Sequence, residues 1–270
     1  TVNDTVRPVV ITQPVTVFLD ASGNASIVVA DVDNGTTDNC GVPTLTLSNS
    51  TFTCANVGAN NVQLIATDVN GNIDSAVAVV TVNDTTSPTA VAQNITVYLD
   101  GTGNVSILPA DVDNGSADNC GIPTLTLNTS AFTCANVGPN NVTLTATDGS
   151  SNTSTATAVV TVSDTLRPIV VTQPVTVFLD GSGNASIVVA DVDNGTSDNC
   201  GVPTLTLSNS TFTCADVGAN TVQLIATDVN GNIDSAAATV TVSDTVRPVV
   251  ITQPVTVFLD GSGNASIVVA

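Results

Sequence analysis

The octapeptide Gln-Pro-Val-Thr-Val-Phe-Leu-Asp occupies residues 13–20 and returns unchanged at 173–180 and 253–260, with the related Gln-Asn-Ile-Thr-Val-Tyr-Leu-Asp at 93–100. These four segments are spaced 80 residues apart, and the sequence around them repeats with the same period. A fixed period of this length is typical of arrays in which each copy is one structural unit that contacts mainly its neighbours. The sequence therefore predicts a string of small domains rather than one large fold.

Asp-Thr steps at Asp4, Asp84, Asp164 and Asp244 mark the borders between copies. We assign residues 1–4 to the tail of a preceding copy, and residues 5–84, 85–164 and 165–244 to copies 1, 2 and 3. Residues 245–270 then belong to part of a fourth copy. Because this last copy stops in mid-pattern, we expect the chain to be a fragment of a longer array.

Each copy has the pattern of short strands separated by turn residues. In copy 1 alternating or continuous apolar stretches bounded by Gly, Pro, Asn and Asp predict seven strands, at residues 9–12, 15–19, 25–30, 44–48, 51–54, 62–67 and 76–82. Seven strands in about 80 residues suit a two-sheet sandwich. The predicted fold class is all-β, a tandem array of small immunoglobulin-like β-sandwich domains with about seven strands each.

The composition excludes several function classes. The chain has no His, Lys, Glu, Trp or Met, and its three cations are Arg7, Arg167 and Arg247. Few side chains for acid–base or nucleophilic chemistry remain, so we expect no enzyme. All 23 acidic residues are Asp, and the net charge of −20 disfavours nucleic acid and anionic membrane surfaces as partners. The chain contains no stretch of about 20 apolar residues, so we expect no membrane insertion within it.

The six cysteines fall as one pair in each complete copy. The simplest interpretation is a disulfide within each copy, pairing Cys40 with Cys54, Cys120 with Cys134, and Cys200 with Cys214. Structural zinc is the alternative, but two thiols without His do not fill a site within one copy. Disulfides form in oxidising compartments, so we expect the chain to lie outside the cytoplasm.

Clusters of Asp are the main candidates for ligand chemistry. The loop Asp31-Val-Asp33-Asn-Gly-Thr-Thr-Asp38 and its counterparts (Asp111, Asp113 and Asp118; Asp191, Asp193 and Asp198) place three carboxylates within eight residues. Calcium takes six to eight oxygen ligands of this kind, which favours a calcium site in each loop. The alternative is an Asx-rich turn, in which the same side chains bind the backbone.

Two further acidic positions are candidate calcium ligands. The loop that begins at Asp68 carries oxygen-bearing side chains at every other residue up to Asp74, and the loop from Asp228 repeats it. In copy 2 the loop from Asp148 ends in Ser154 instead of Asp. At the borders, Asp84, Asp164 and Asp244 either bind an ion shared with the next copy or cap a turn.

Three motifs quoted from copy 1 resemble the hyalin-repeat family, and the resemblance covers every complete copy. They are Asp-Asn-Cys-Gly at 38–41, Thr-Asp-x-x-Gly-Asn at 67–72, and Val-x-Asp-x-x-x-Pro at 82–88. The resemblance implies immunoglobulin-like modules that occur in tandem on extracellular proteins and take part in adhesion. The variant in this chain is similar to modules in very long surface adhesins and filaments of Bacteroidota.

The bacterial resemblance also implies candidate O-glycosylation sites, because Asp-Ser/Thr followed by a small apolar residue or Thr resembles the signal of that phylum. The matching positions are Thr5, Ser75, Thr85, Thr165, Ser235 and Thr245. Common Asp-Thr and Asp-Ser turns are the alternative explanation of the same pairs.

Taken with the repeats, these features favour a structural extender or stalk segment of a long extracellular cell-surface adhesin or filament, stabilised by disulfides within domains and by calcium. The alternative is a set of ligand-binding adhesion modules, for example for carbohydrate, that act multivalently. We expect the partners to be neighbouring repeats of the same chain, with other filament chains or surface glycans as further candidates. Phe18 and Phe52 are the candidate sugar platforms of copy 1, and both are expected in the core.

Overall fold

The computed structural model describes residues 3–268. Copy 1 contains six strands, one helical turn α1 (Val29–Val32) and a 3₁₀ turn at Cys54–Asn56. Its strands are β1 (Val15–Phe18), β2 (Asn24–Ser26), β3 (Thr44–Leu47), β4 (Thr51–Thr53), β5 (Gly58–Thr67) and β6 (Ile73–Asn83).

Copies 2 and 3 repeat these elements. Copy 2 has β7 (Ile95–Tyr98), β8 (Asn104–Ser106), α2 (Pro109–Val112), β9 (Thr124–Leu127), β10 (Ala131–Thr133), a 3₁₀ turn (Cys134–Asn136), β11 (Gly138–Thr147) and β12 (Thr153–Ser163). Copy 3 has β13 (Val175–Phe178), β14 (Asn184–Ser186), α3 (Val189–Val192), β15 (Thr204–Leu207), β16 (Thr211–Thr213), a 3₁₀ turn (Cys214–Asp216), β17 (Gly218–Thr227) and β18 (Ile233–Ser243).

Each copy is a sandwich of a four-stranded and a two-stranded sheet. In copy 1 the larger sheet has the order β1-β6-β5-β3, with β1 parallel to β6 and the other pairs antiparallel. The smaller sheet pairs β2 with β4. The same order recurs in copies 2 and 3. The predicted fold class, a tandem array of immunoglobulin-like β-sandwiches, is confirmed.

The strand register shows which residues lie together at each end of the larger sheet, and we call these two ends the poles of a copy. The entry pole of copy 1 holds the neighbouring residues Thr44, Thr67 and Ile73. The exit pole holds Phe18, Gly58 and Asn83. Because β5 has 10 residues, the two poles lie about 30 Å apart at the usual rise of a strand.

The core lies between the two sheets. In β5 the side chains of Val62 and Leu64 point inward, as the predicted alternation requires, and meet Phe52 from the smaller sheet. Phe52 is only 1% exposed, and Val32 of α1 is fully buried. This one Phe per copy supplies the largest buried side chain of its sandwich, and Phe132 and Phe212 repeat it.

Two predicted strands differ from the structure. Residues 9–12 form only isolated bridges, Val9 with Thr37 and Thr12 with Asp33, so each copy has six strands rather than seven. The predicted strand at 25–30 ends at Ser26 because the Asp31 carboxylate caps the backbone N–H of Val28 and starts α1. Phe18 was also predicted wrongly, since it is 59% exposed on the outer face of β1.

The chain divides into two compact units, residues 1–165 and 166–270. The first contains copies 1 and 2, and the second contains copy 3 and the residues that follow it. The described residues after Ser243 contain no helix or strand. None of the helices in the described part of the chain is long and apolar enough to cross a membrane.

Candidate functional site at the junction of copies 1 and 2

A disulfide joins Cys54 of copy 1 to Cys120 of copy 2, with their Cα atoms 5.2 Å apart. The predicted pairing within copies, Cys40 with Cys54 and Cys120 with Cys134, is therefore wrong. The reason is that Cys54 lies at the exit pole of copy 1, whereas Cys40 lies at the entry pole near Asp4 and Asp68. Cys134 and Cys200 are also disulfide-bonded. Cys40 and Cys214 are free and exposed, so the predicted Cys200–Cys214 pair is wrong as well.

The disulfide is seated in a socket at the exit pole of copy 1, formed by Cys54 and the turn at residues 20–23. Asn119 of copy 2 enters it, and its Nδ2 donates a hydrogen bond to the carbonyl of Asp20 at 3.1 Å. The Sγ of Cys54 lies 3.4 Å from the carbonyl oxygen of Asn119. The loop Asp118-Asn119-Cys120-Gly121 of copy 2, which we call the Asn-Cys loop, thus contacts copy 1 through backbone and side chain.

Gly23 is required for this close approach. Its φ of +75° lies in the region that favours glycine, and a Cβ there would lie 2.5 Å from the Sγ of Cys54 and 3.0 Å from the Asn119 carbonyl. The sequence analysis treated residues 20–23 only as a turn between strands, and it identified neither Gly23 nor Asn119 as a junction residue. The signal that was available is that the turn Asp-x-x-Gly-Asn repeats in every copy.

Carboxylates gather beside the same junction. Asp84, the last residue of copy 1, and Asp118 of copy 2 lie with ligand atoms within 4.8 Å of each other and of Cys120. At the entry pole of copy 1, Asp4, Asp38 and Asp68 form the equivalent cluster at the same distance. Cys120 supplies no thiolate because its sulfur is in the disulfide. Asp198 and Asp228 of copy 3 also lie within 4.8 Å of each other.

The chemistry of these clusters fits a hard divalent cation. One carboxylate oxygen on each of Asp4, Asp38, Asp84 and Asp118 is buried and accepts no hydrogen bond. Buried carboxylate oxygens without donors are costly, and like charges this close repel unless a cation neutralises them. Calcium binds such oxygens, so the residues present fit the predicted ion. Asp4 was missing from the predicted ligands, although the 80-residue period makes it the equivalent of Asp84.

The structure distributes the three carboxylates of the predicted loop between two roles. Asp31 Oδ2 accepts the backbone N–H of Val28 at 2.7 Å, and Asp33 Oδ1 accepts that of Thr36 at 3.0 Å. Asp38 is the one that joins the junction cluster. Asp111 and Asp191 bind the backbone as Asp31 does, and Asp113 and Asp193 as Asp33 does. The calcium assignment of these four and of Asp31 and Asp33 stays a prediction.

Asp68 holds its loop together while it faces the cluster. Its Oδ1 accepts the backbone N–H groups of Asn70 and Asn72, both at 2.8 Å, and its Oδ2 accepts Nδ2 of Asn72 at 2.7 Å. The same Nδ2 also donates to the backbone carbonyl of Asp4 at 3.2 Å, which ties the border segment to the entry pole. Asp228 repeats this pattern in copy 3. Asp148 does so in copy 2 despite the altered loop end.

The other two predicted border carboxylates differ in exposure. Asp164 is buried, at 6% exposure, like Asp84. Asp244 is exposed, and its Oδ1 accepts the backbone N–H of Val246 at 2.9 Å. Both remain predicted calcium ligands.

Hydrogen bonds lower the pKa of several of these carboxyls. The Cys40 thiol donates to Asp4, which lowers the pKa of Asp4 and raises that of Cys40. For Asp68, desolvation raises the pKa, but the bonds from Asn72 and Asn70 outweigh it and the net shift is downward. Three further carboxyls have a lowered pKa because a side-chain hydroxyl donates a hydrogen bond to them. The pairs are Thr36 with Asp33, Ser116 with Asp113, and Thr196 with Asp193.

These shifts predict acid sensitivity. A carboxyl whose pKa is lower in the folded state stabilises the fold fully above its unfolded pKa of about 4, and this stabilisation is lost as the pH falls through the folded pKa. In chelator, we expect the melting temperature to be nearly flat from pH 7 to 5 and to fall steeply below pH 4. Circular dichroism melts across this range test the expectation, and a melting temperature that rises below pH 4 would contradict it.

All six predicted O-glycosylation positions are exposed. They are Thr5, Ser75, Thr85, Thr165, Ser235 and Thr245. Exposure permits modification without selecting these positions from other surface hydroxyls, so the sites stay predictions.

No protein-family model matches the chain, and no curated protein does. Among solved structures it is similar to mouse cadherin-23 EC22-24, at 14% identity over 87% of this chain and 97% of that one, with a TM-score of 0.35. It is also similar to sidekick-1 immunoglobulin domains 1-5, at 12% identity over 88% and 59% of the two chains, with a TM-score of 0.40. Likenesses of this degree carry no argument about function.

Proposed function

We propose that the chain is a structural extender, a stalk segment of a long extracellular cell-surface adhesin or filament whose joints are locked by disulfides and by calcium. The observation that carries this proposal is the Cys54–Cys120 bond, because it links two successive copies instead of stabilising the core of one copy. A covalent bond at a junction limits hinge motion of neighbouring domains, which by default move relative to each other. This is the property that a stalk requires.

The same observation supports an extracellular location, since disulfides persist in oxidising compartments. Hyalin-repeat membership, a Bacteroidota source and O-glycosylation belong to the proposal and rest on the short sequence motifs. We also propose that the chain is no enzyme. The acidic clusters contain no His, Lys or Glu partner for acid–base chemistry, because the chain has none of these residues.

Calcium is the second part of the proposed joint. Asp84 and Asp118 come from successive copies, so an ion bound by both neutralises their repulsion and links the copies. When bound, the ion supplies charge neutralisation and a further link between two surfaces. Asp84 and Asp118 are positioned for it by their own backbone bonds, to the N–H groups of Thr86 and Cys120.

The test is thermal unfolding of the whole chain, non-reduced, in calcium and then in excess chelator. A ligand that binds only the folded state raises its stability by RT ln(1 + [L]/Kd), about 2.7 kcal/mol at 100 times Kd. We expect calcium to raise the melting temperature by several degrees. An unchanged melting temperature, with the disulfide intact by mass spectrometry, would remove calcium from the proposed joint.

A matched variant locates the ion. Asp118→Asn keeps an acceptor for the backbone N–H of Cys120 but removes one charge from the junction. In chelator we expect this variant to be as stable as the parent or more so, because a repulsion is relieved. In calcium we expect it to gain less than the parent does. Asp260→Asn, in an exposed turn outside the acidic clusters, serves as the control that leaves the calcium effect unchanged.

A ligand-binding function is the second candidate, and one observation favours it. Phe18, Tyr98 and Phe178 occupy equivalent places on the edge strands β1, β7 and β13, and each is about 60% exposed. Exposed aromatic faces, one per copy, provide a multivalent surface on which sugar rings can stack. Binding of the chain to immobilised glycans that is lost in the triple Ala variant of these residues would favour this function over a passive stalk.

A further inference from the structure

An asparagine side chain joins the border between copies 1 and 2 to the loop that links β11 to β12. The Nδ2 of Asn152 donates hydrogen bonds to the backbone carbonyl of Asp84 at 3.1 Å and to Oδ2 of Asp148 at 2.8 Å. A longer bond, at 3.4 Å, reaches the carbonyl of Thr86. Asp84 ends copy 1, whereas Asn152 and Asp148 belong to copy 2. One amide group therefore holds the border segment against copy 2.

The Asn152 amide is itself fixed by its own loop. The backbone N–H of Asn152 donates to Oδ1 of Asp148 at 2.7 Å, and its backbone carbonyl accepts the N–H of Asp148 at 3.1 Å. Bonds to Asp148 from both the backbone and the side chain of Asn152 hold the amide in this orientation. The groups that face it are oxygens, so an amide nitrogen with two N–H donors is required there. Aspartate has the same shape but would place oxygen against oxygen.

Asp84 is the residue that this amide positions. Its side chain is 6% exposed, and its Oδ2 is buried and accepts no hydrogen bond. One of its carboxylate oxygens lies within 4.8 Å of a carboxylate oxygen of Asp118. Two carboxylates at this distance repel, so the border must be held in place when no cation is bound. Asn152 holds it through backbone carbonyls, and because an amide is neutral, the negative charge of Asp84 is left for a cation.

The entry pole of copy 1 has the same arrangement. The Nδ2 of Asn72 donates to the backbone carbonyl of Asp4 at 3.2 Å and to Oδ2 of Asp68 at 2.7 Å. The Oδ2 of Asp4 is buried and accepts no hydrogen bond, as in Asp84. Between the Asp and the Asn of the loop, copy 1 has Val-Asn-Gly at 69–71 and copy 2 has Gly-Ser-Ser at 149–151. The clamp is therefore the same in both copies although the residues inside the loop differ.

We propose that Asn152 and Asn72 are positioning residues of the calcium sites, and that each amide holds its border carboxylate, Asp84 or Asp4, where a shared cation requires it. This role deepens the proposed calcium joint and rests on it. Because the carboxylates are already together, calcium binding does not have to assemble them against their repulsion. Loss of an outer residue that orients metal ligands usually weakens metal affinity by about 10- to 100-fold, and we expect that range here.

The test is a calcium titration of the oxidised, isotope-labelled whole chain, followed by NMR. Backbone amides that donate to the cluster carboxylates report each site separately: Thr86 and Cys120 for the joint between copies 1 and 2, and Val6 and Cys40 for the entry pole of copy 1. We expect Asn152→Ala to raise the Kd at the joint by about 10- to 100-fold and to change the Kd at the entry pole by less than about twofold. Asn72→Ala should do the reverse, so each variant is the control for the other.

The outcomes separate this role from the calcium joint itself. Unchanged affinity at the variant's own site, or equal weakening at both sites, would overturn the positioning role and leave the calcium joint standing. A parent chain whose amides do not respond to calcium would overturn the calcium joint and this role with it. If Asn152→Ala does not fold, Asn152→Ser, which keeps a small polar side chain without the amide, gives the same comparison. Melting temperatures in chelator identify the variants that fold.

Discussion

Replacing both Cys54 and Cys120 by Ser is expected to lower the free energy of unfolding of residues 1–165 by about 4 kcal/mol. The bond closes a loop with a sequence separation of 66 residues, and the loss of loop entropy in the unfolded chain gives this magnitude in the chain-entropy model. Urea unfolding measures the effect directly. The single tyrosine, Tyr98, lies in copy 2, so its fluorescence reports the unit that contains the bond.

The matched control is Cys40→Ser, which removes a thiol that forms no disulfide. We expect its effect on the free energy of unfolding to be small beside that of the double variant. If Cys40→Ser costs as much as the double variant, Cys40 is bonded in solution and the junction described above is wrong.

Phe132→Ala is expected to destabilise copy 2 by about 3–5 kcal/mol, the usual cost of truncating a fully buried Phe. Phe132 is 1% exposed and is the largest side chain of a core otherwise built from Val, Leu, Ile and Ala. The neighbouring aliphatic side chains fill little of the resulting cavity. Tyr98 fluorescence in urea follows the loss.

The control for this core prediction is Phe18→Ala in the same compact unit. Phe18 is 59% exposed on an edge strand, so we expect a change of about 0.5 kcal/mol or less, as for most surface substitutions. Equal effects of the two substitutions would contradict the placement of the core.

The strands were predictable where apolar and polar residues alternate over a segment of strand length. The inward Val62 and Leu64 of β5 follow the predicted period of two. Residues 9–12 show the limit of this signal, because they are rich in β-branched residues yet form only isolated bridges, Val9 with Thr37 and Thr12 with Asp33. Pairing, rather than intrinsic propensity, decides strand formation here.

The junction was predictable only in part. The Asp and Cys positions stand out in the sequence, but which of them meet depends on the pole where each lies. Asp38 and Asp31 are seven residues apart in one loop, yet Asp38 joins Asp4 and Asp68 while Asp31 caps α1. Cys40 and Cys54 are separated in space because β3, β4 and the 3₁₀ turn carry the chain from the entry pole to the exit pole.

Force–extension measurement of the single oxidised chain tests the covalent joint most directly. A Cys54–Cys120 bond shields the residues between the two cysteines from stretching, so the Cys54→Ser/Cys120→Ser variant should unfold to a contour length about 220–240 Å longer than the parent, at about 3.3–3.6 Å per residue. That result would establish that the bond joins successive copies. A gain of only about 90–100 Å, the length expected at the same rise if Cys40 were paired with Cys54 and Cys120 with Cys134, would contradict the account.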